Sequence, residues 1–369
     1  MSAAQTLKFL RRSGIPAALF FLLTWHGAAQ TTAPIYATED TFVCSPGEGN
    51  TGNYWDAASR NFGNLRSRHV AAATAHPNND PAYPCKGEFK AVVRFYPSNA
   101  VAQLDAEYGV GRWHITGLAL KLTTSDNVAG PGLFNAPGNA GQFRVSWLPS
   151  DGDWVQGAGY INQGASPHDP LLSPANFTNL TFNSLQIILT NHPQIVLATL
   201  DFVKSGILAP MTNTLPLTNA AILTALAGAQ PTSLLFDAAD DHVAFNFTSH
   251  LYGDDRLTNE YAPTLFLTAE PLVSPVAAIE TNAGSAFLTV RFQRQAGVTN
   301  LTCVAEVTSD LAADEWALLA SSTNGVPLTG PGFVSETEAA EAGILNVTLR
   351  DLVPVQAAAS RFVRLRFLK

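Results

Sequence analysis

The chain has 369 residues, of which 21 are Lys or Arg and 29 are Asp or Glu, so its formal net charge is -8. This acidic balance argues against a nucleic-acid partner, which would need a basic footprint. Charged residues make up only 14% of the chain, and 27 Gly and 23 Pro separate short runs of Thr, Val, Leu and Phe. Such a composition is typical of an all-β protein with many turns.

The N-terminus has the pattern of a secretory signal peptide. A basic segment ending at Arg12 precedes an apolar run over 15–23, and small residues follow at 27–29. The run is shorter than the roughly 20 apolar residues that a membrane helix needs. We therefore predict a signal peptide over 1–29 and an exported mature chain without a membrane span. Removal of the signal takes away three basic residues and no acid, so the net charge becomes 18 minus 29, or -11.

Short apolar segments separated by turn residues predict the strands of a first domain over 30–270. The predicted strands cover 39–44, 65–73, 88–95, 115–124, 142–148, 185–190, 195–203, 232–238, 242–248 and 263–269. One helix is predicted over 220–227, with Thr218 or Asn219 as its N-cap and Gly228 at its end. Strands at this spacing with one short helix indicate a β-sandwich or jelly roll.

The segment 88–95 alternates most clearly. Its apolar residues at 89, 91, 93 and 95 share one face, and Lys90 and Arg94 share the other. This pattern predicts a half-buried strand with one face in water.

The proline-rich stretch over 271–278 predicts a linker, because Pro271 and Pro275 interrupt the strand pattern. Beyond it, alternating segments predict strands over 286–293, 300–308, 315–320, 344–349 and 361–368. We therefore predict a smaller immunoglobulin-like or fibronectin-like sandwich over 279–369.

The three cysteines divide into a pair and a single residue. Cys44 and Cys85 lie in one polar neighbourhood rich in Pro and Gly, and export permits a disulfide between them. Cys303 shares an apolar strand face with residues 301, 305 and 307, which favours a buried core thiol over a reactive one.

Catalytic signatures are sparse. The sequence has no G-x-S-x-G elbow, H-E-x-x-H pair or P-loop. Two carboxylates at a suitable separation could cleave a glycosidic bond, but the acids that lie close in sequence occupy turn-like stretches, where Asp side chains bind nearby backbone amides. A turn role is favoured for these sets, which are Asp151 with Asp153, Asp237 with Asp240 and Asp241, and Asp254 with Asp255.

Calcium is a second possibility for the acidic loops. Carboxylates and loop carbonyls are the hard oxygen ligands that Ca²⁺ prefers, although no EF-hand spacing occurs. A structural calcium site would be composite, and its candidate ligands are Glu39, Asp40, Asp240 and Asp241.

Aromatic side chains in loops suggest a ligand surface. Tyr54 and Trp55 lie in a Gly-rich loop with little apolar sequence around them. A pyranose ring has an apolar C–H face that stacks on such side chains. The alternative is that the two rings cover the edge of the sandwich.

Several short motifs occur in the order that one family shows. They are EDTFV at 39–43 followed by NFGNL at 61–65, KAVVRF at 90–95, ITGLALKL at 115–122, DWVQG at 153–157 and YAPTLFLTA at 261–269. In this order they resemble the DNRLRE-type domain, which is related to carbohydrate-binding module family 96 of exported bacterial proteins. Leu118 stands where that family has a small residue, and Gln156 where it often has Glu.

The resemblance implies an exported, non-catalytic jelly-roll module that binds polysaccharide or cell-envelope glycan, including acidic glycans such as alginate. The side chains that we predict to contact a glycan are Tyr54, Trp55, Arg66, Arg68, Lys90 and Arg94. The alternatives are a structural or adhesive surface protein without glycan specificity and, third, a glycan-cleaving enzyme. The C-terminal 90 residues are similar to small sandwich domains of exported bacterial proteins.

Overall fold

The structure is a computed structural model. It describes residues 5–7, 30–49, 51, 57–63, 66–75, 77, 85–125, 134–149, 154–157, 179–203, 206–251, 259–312, 315–358 and 360–369. Among these residues, strands predominate and the α-helices are short, which confirms the predicted all-β class. None of the described helices is long and apolar enough to cross a membrane.

The first sandwich comprises residues 30–271. Its strands are β2 (Thr31–Cys44), β3 (Ser67–Ala71), β4 (Phe89–Phe95), β5 (Trp113–Thr123), β6 (Gly141–Leu148), β7 (Ile195–Phe202), β8 (Pro210–Leu215), β9 (Thr232–Ala238), β10 (Ala244–Thr248) and β11 (Thr264–Pro271). Its helices are α1 (Ser98–Tyr108), α2 (Phe182–Asn191) and α3 (Ala220–Ala227).

The strands pair in the antiparallel order β7-β6-β9-β4-β2-β11-β5-β8, with β10 and β3 attached through β4. The long strand β2 joins the two layers, because Thr31–Tyr36 pairs with β11 and Ala37–Cys44 pairs with β4. One buried cluster contains side chains from both ends of this order, including Phe236 of β9 and Leu120 of β5. The two layers therefore enclose one core, as the prediction of a sandwich requires.

Helix α2 corrects the strand predicted over 185–190. Its N-cap is Thr181, whose side chain accepts a hydrogen bond from Ser184 N at 3.1 Å, while Ser184 Oγ accepts one from Thr181 N at 2.9 Å. This reciprocal capping starts a helix. A short apolar run fits a strand or a buried helix equally well, so the prediction was wrong.

Helix α3 confirms the one helix that was predicted. Asn219 is its cap, and the Oδ1 atom of Asn219 accepts from the backbone amides of Ala221 and Ile222. The sequence did not predict α1, which packs Ala100 and Leu104 into the core.

The second sandwich has two four-stranded sheets. Its strands are β12 (Val276–Asn282), β13 (Ser285–Gln295), β14 (Thr302–Thr308), β15 (Ala317–Ser322), β16 (Phe333–Glu338), β17 (Ile344–Pro354) and β18 (Phe362–Leu368). The sheet orders are β12-β13-β17-β16 and β1-β18-β14-β15, where β1 is Gln5–Leu7. Strands β12 and β16 were not predicted. Strand β1, which pairs with β18, lies inside the segment predicted as a signal peptide.

The junction between the two sandwiches is tightly packed. Only residues 272–275 separate β11 from β12, so β12 begins inside the segment predicted as a linker. Val298 and Leu301 of the second sandwich belong to the buried core cluster of the first. The Gln295 side chain also donates to the carbonyl oxygen of Trp113 at 2.6 Å. These contacts hold the two sandwiches against each other.

Cys44 and Cys85 form the predicted disulfide, and both are fully buried. Cys303 is a buried thiol in the core of the second sandwich, as predicted, and burial raises its pKa to about 12.

We expect peptide mapping of non-reduced protein to give one linked pair containing Cys44 and Cys85. Because the bond closes a loop with a sequence separation of 41, Cys85→Ser should lower the free energy of unfolding by about 2–4 kcal/mol. Cys303→Ala is the control, and it should leave the linked pair in place. A free thiol at Cys44 or Cys85 in the native protein would contradict the assignment.

Candidate ligand-binding face

The face of β4, β9 and β6 that points away from the main core divides into a covered half and a polar half. In the covered half, Val92, Leu235 and Leu148 form a second apolar cluster with Leu185 and Ile188 of α2. The helix therefore shields this half of the sheet from solvent. The polar half is the part of the face available to a ligand.

Arg94 lies in the covered half, which corrects the prediction that Lys90 and Arg94 share a wet face. The Arg94 guanidinium stacks on the Trp154 ring at 4.2 Å and donates to the Trp154 carbonyl oxygen at 2.7 Å. It also forms an ion pair with Glu39. Arg94 is only 4% exposed, so it has almost no surface to offer a glycan. Alternation along β4 could not reveal the segment that covers it.

The polar half, which we call the polar face, is built by side chains at one end of four neighbouring strands. Ala91 of β4 pairs with Phe236 of β9, so the same register continued by one residue brings Lys90 beside Asp237. Asp237 itself pairs with Arg144 of β6. Thr199 of β7 lies opposite Arg144 on the other side. The polar face consists of Glu88, Lys90, Gln142, Arg144, Thr199, Asp201 and Asp237.

Arg144 is held in place by a carboxylate beneath it. Its Nε donates to Asp237 Oδ2 at 3.1 Å, its Nη2 donates to the same oxygen, and Nη2 also donates to the Ala238 carbonyl oxygen at 3.0 Å. Hydrogen bonding to Asp237 raises the pKa of Arg144. Asp237 is 1% exposed, whereas the Arg144 side chain is 40% exposed. Nη1 has no hydrogen-bond partner among the described residues, so Arg144 presents a preoriented donor to solvent.

Two further pairs complete the polar face. Lys90 Nζ lies 3.3 Å from a carboxylate oxygen of Glu88. Burial raises the pKa of Glu88, and the charge of Lys90 only partly opposes this shift. Gln142 Nε2 donates to Asp201 Oδ1 at 2.9 Å. The face therefore offers charged and amide groups that are already connected to one another.

A second polar cluster lies inside the first sandwich around Asp40 and Arg68, both of which are fully buried. Asp40 Oδ1 accepts from Arg68 Nε and from Ser249 Oγ, each at 2.8 Å. His250 contributes its backbone amide at 2.7 Å from Oδ2 and its Nδ1 at 2.9 Å from Oδ1. Burial alone would raise the pKa of Asp40, but the Arg68 charge and the His250 hydrogen bonds outweigh it and hold that pKa well below its ordinary value.

Residues from three of the six segments that carried the family resemblance, Asp40, Gly63 and Gln156, meet at this cluster. Gln156 donates through Nε2 to the Gly63 carbonyl oxygen at 2.6 Å, and its Oε1 accepts from Asp40 N at 3.1 Å. Asn61 Nδ2 donates to the Gln156 carbonyl oxygen at 2.7 Å. An ionised Glu at 156 could not donate to Gly63, because a carboxylate only accepts. These hydrogen bonds link separate segments of the first sandwich to one another.

The four predicted glycan contacts that the structure describes are therefore not brought together. Lys90 lies on the polar face. Arg68 is enclosed by Asp40, Ser249 and backbone carbonyls, so no glycan can reach it. Arg66 is exposed next to β3, where its carbonyl oxygen accepts from Ser249 N. Tyr54 and Trp55 lie outside the described residues.

The predicted calcium ligands are separated as well. Glu39 and Asp40 are consecutive residues of a strand, so their side chains point to opposite faces. Glu39 pairs with Arg94, and Asp40 pairs with Arg68. Asp240 accepts from the backbone amides of Gln142, His242 and Val243.

Burial alone would raise the pKa of Asp240, but these amide hydrogen bonds lower it. Asp241 is exposed. Within the described part of the chain, no three His, Cys, Asp or Glu side chains are grouped so that they could hold a metal ion.

The acids that lie close in sequence, which were considered for cleavage of a glycosidic bond, show that spacing in the sequence does not predict the partners of a carboxylate. Asp237, which was considered beside Asp240 and Asp241, instead orients Arg144. The sets at 151–153 and 254–255 lie outside the described residues. Sequence analysis missed Arg144 and Gln142, although both alternate with apolar residues in the strand predicted over 142–148 and so belong to its polar side.

Comparison with known proteins finds no family model that matches this chain and no similar curated protein. The resemblance to the DNRLRE-type domain therefore stays a prediction.

Proposed function

We propose that this chain is an exported, non-catalytic carbohydrate-binding protein whose glycan site is the polar face. The observation that carries the proposal is the Arg144–Asp237 pair on a sheet face of the first sandwich. A buried carboxylate fixes the guanidinium, so little side-chain entropy is lost when Nη1 donates to a ligand. The Gln142 amide and the Thr199 hydroxyl lie on the same face and can make further hydrogen bonds.

Export is supported by the charged and apolar pattern of the N-terminus and by the buried Cys44–Cys85 disulfide. The proposal does not use Arg68 or Arg94, because both are occupied in the interior.

Native gel electrophoresis in gels that contain single polysaccharides tests the proposal. We expect at least one glycan to slow the protein, and Arg144→Met to weaken this binding by about tenfold or more, since a hydrogen bond to a charged group contributes roughly 1.5–3 kcal/mol. Arg291→Met is the matched control, because Arg291 is an exposed arginine paired with Glu280 in the second sandwich. It should bind as the wild type does.

Three results would count against the proposal. Unchanged mobility in every gel would favour a structural or adhesive protein. Release of reducing or unsaturated ends from a glycan would indicate an enzyme. Equal binding by Arg144→Met and wild type would place the site elsewhere.

A further inference from the structure

We infer that the polar face recognises the hydroxyl groups of a neutral glycan and not the carboxylates of a uronate polymer. This inference rests on the proposed function, because it assumes that the polar face is the glycan site. It departs from the acidic polysaccharide that the family resemblance implies.

Each cation on the polar face already has a carboxylate partner. Asp237 holds Arg144, and Glu88 holds Lys90. With Asp201 included, the face carries two cations and three carboxylates, for a formal charge of 2 minus 3, or -1. A uronate would approach a face without net positive charge, so its attraction would be small.

Displacement of the existing partners would also be unfavourable. A uronate carboxylate that replaced Asp237 as the partner of Arg144 would leave Asp237 without its cation. Asp237 is only 1% exposed, so water could not compensate for the loss. A buried carboxylate that loses its cation is strongly destabilising. The exposed Nη1 can still donate to a ligand oxygen, and a neutral hydroxyl oxygen can accept this hydrogen bond without bringing a second negative charge.

The face also presents acceptor oxygens, to which an ionised carboxylate cannot donate. The Glu88 side chain is 27% exposed and Asp201 is exposed, so a ligand can reach both carboxylates. A sugar hydroxyl both donates and accepts, whereas an ionised uronate group only accepts. Neutral sugars therefore match the donor and acceptor balance of this face.

The test compares neutral and acidic polymers with the full mature chain. Laminarin, xylan and mannan serve as neutral probes, and alginate and polygalacturonate as acidic probes, each in native gels at low and high NaCl. We expect a neutral glycan to slow the protein, with less than about a twofold change in affinity between roughly 0.05 and 0.5 M NaCl, because screening acts on charge attraction. Arg144→Met should abolish this retardation, and Arg291→Met should retain it.

The outcomes separate the two proposals. Stronger, salt-sensitive retardation by alginate or polygalacturonate that is lost in Arg144→Met would overturn the neutral-glycan inference and leave the glycan site on this face. No retardation by any polymer would overturn the proposed function itself. If Arg144→Met fails to fold, Gln142→Ala replaces it, because Gln142 is exposed and its side chain bonds Asp201 on this face. Unchanged neutral binding in that folded variant would contradict the inference.

Discussion

Asp40→Asn is expected to lower the free energy of unfolding by about 3–5 kcal/mol, which is the usual cost of removing one partner from a buried ion pair. The substitution keeps the size of the side chain and removes the charge that faces Arg68. Both residues are fully buried, so Arg68 would keep an uncompensated charge in the interior. Chemical denaturation followed by circular dichroism measures the change.

The same pair makes the stability depend on pH. The pKa of Asp40 in the folded protein lies below its ordinary value of 3.8. Unfolding therefore takes up a proton as the pH falls below about 4, and the contribution of the ionised carboxylate is lost progressively. Asp40→Asn has no such proton to bind, so the difference in stability between wild type and variant should narrow as the pH falls from about 4.

Asp241→Asn is the matched control, because Asp241 is an exposed aspartate of the same domain. It should change the free energy of unfolding by less than about 0.5 kcal/mol. A loss of less than about 1 kcal/mol in Asp40→Asn at pH 7 would contradict the role that we assign to the buried pair.

Leu301→Ala should destabilise both sandwiches together, by about 2–5 kcal/mol. Leu301 belongs to the second sandwich in sequence but is 4% exposed within the core cluster of the first. It packs so closely on Gly111 that a Cβ at that glycine would come within 2.9 Å of Leu301 Cδ1. Phe367 of β18 contacts the cores of both sandwiches. We therefore expect one unfolding transition for the whole chain.

Hydrogen exchange read by mass spectrometry can check this coupling. In Leu301→Ala, exchange should accelerate in β5 of the first sandwich and in β14 of the second. Leu352→Ala is the control, because Leu352 is 56% exposed on β17 and its loss creates no cavity. Two separate transitions in wild type, or faster exchange confined to the second sandwich, would show that the junction does not couple the two units.

Strand prediction succeeded where a local pattern decides the structure. β9 was predicted at its observed bounds of 232–238, and the helix over 220–227 was recognised from its cap at Asn219. It failed at α2, because the apolar run 185–190 is compatible with a strand or with a helix. The Thr181–Ser184 capping box favours the helix. It also missed the short edge strand β8, whose alternation is mostly polar.

The candidate site was less predictable than the fold. Arg144 and Asp237 are 93 residues apart in sequence, and only the register of β6 against β9 brings them together. Conversely, Lys90 and Arg94 look equivalent in the sequence, yet α2 and Trp154 cover only the end of β4 that carries Arg94. No local signal distinguishes the two residues.

By itself, the sequence determined the β class, the inward side of the strand over 88–95 and the pairing of Cys44 with Cys85. These follow from period-2 alternation and from the cysteine neighbourhood, which are local properties. Tertiary structure alone decided which charged side chains are buried. A charge enters the interior only where a partner from a distant segment compensates it, as Asp40 does for Arg68. The same requirement placed Asp237 beneath Arg144 and so left the Arg144 donor facing solvent.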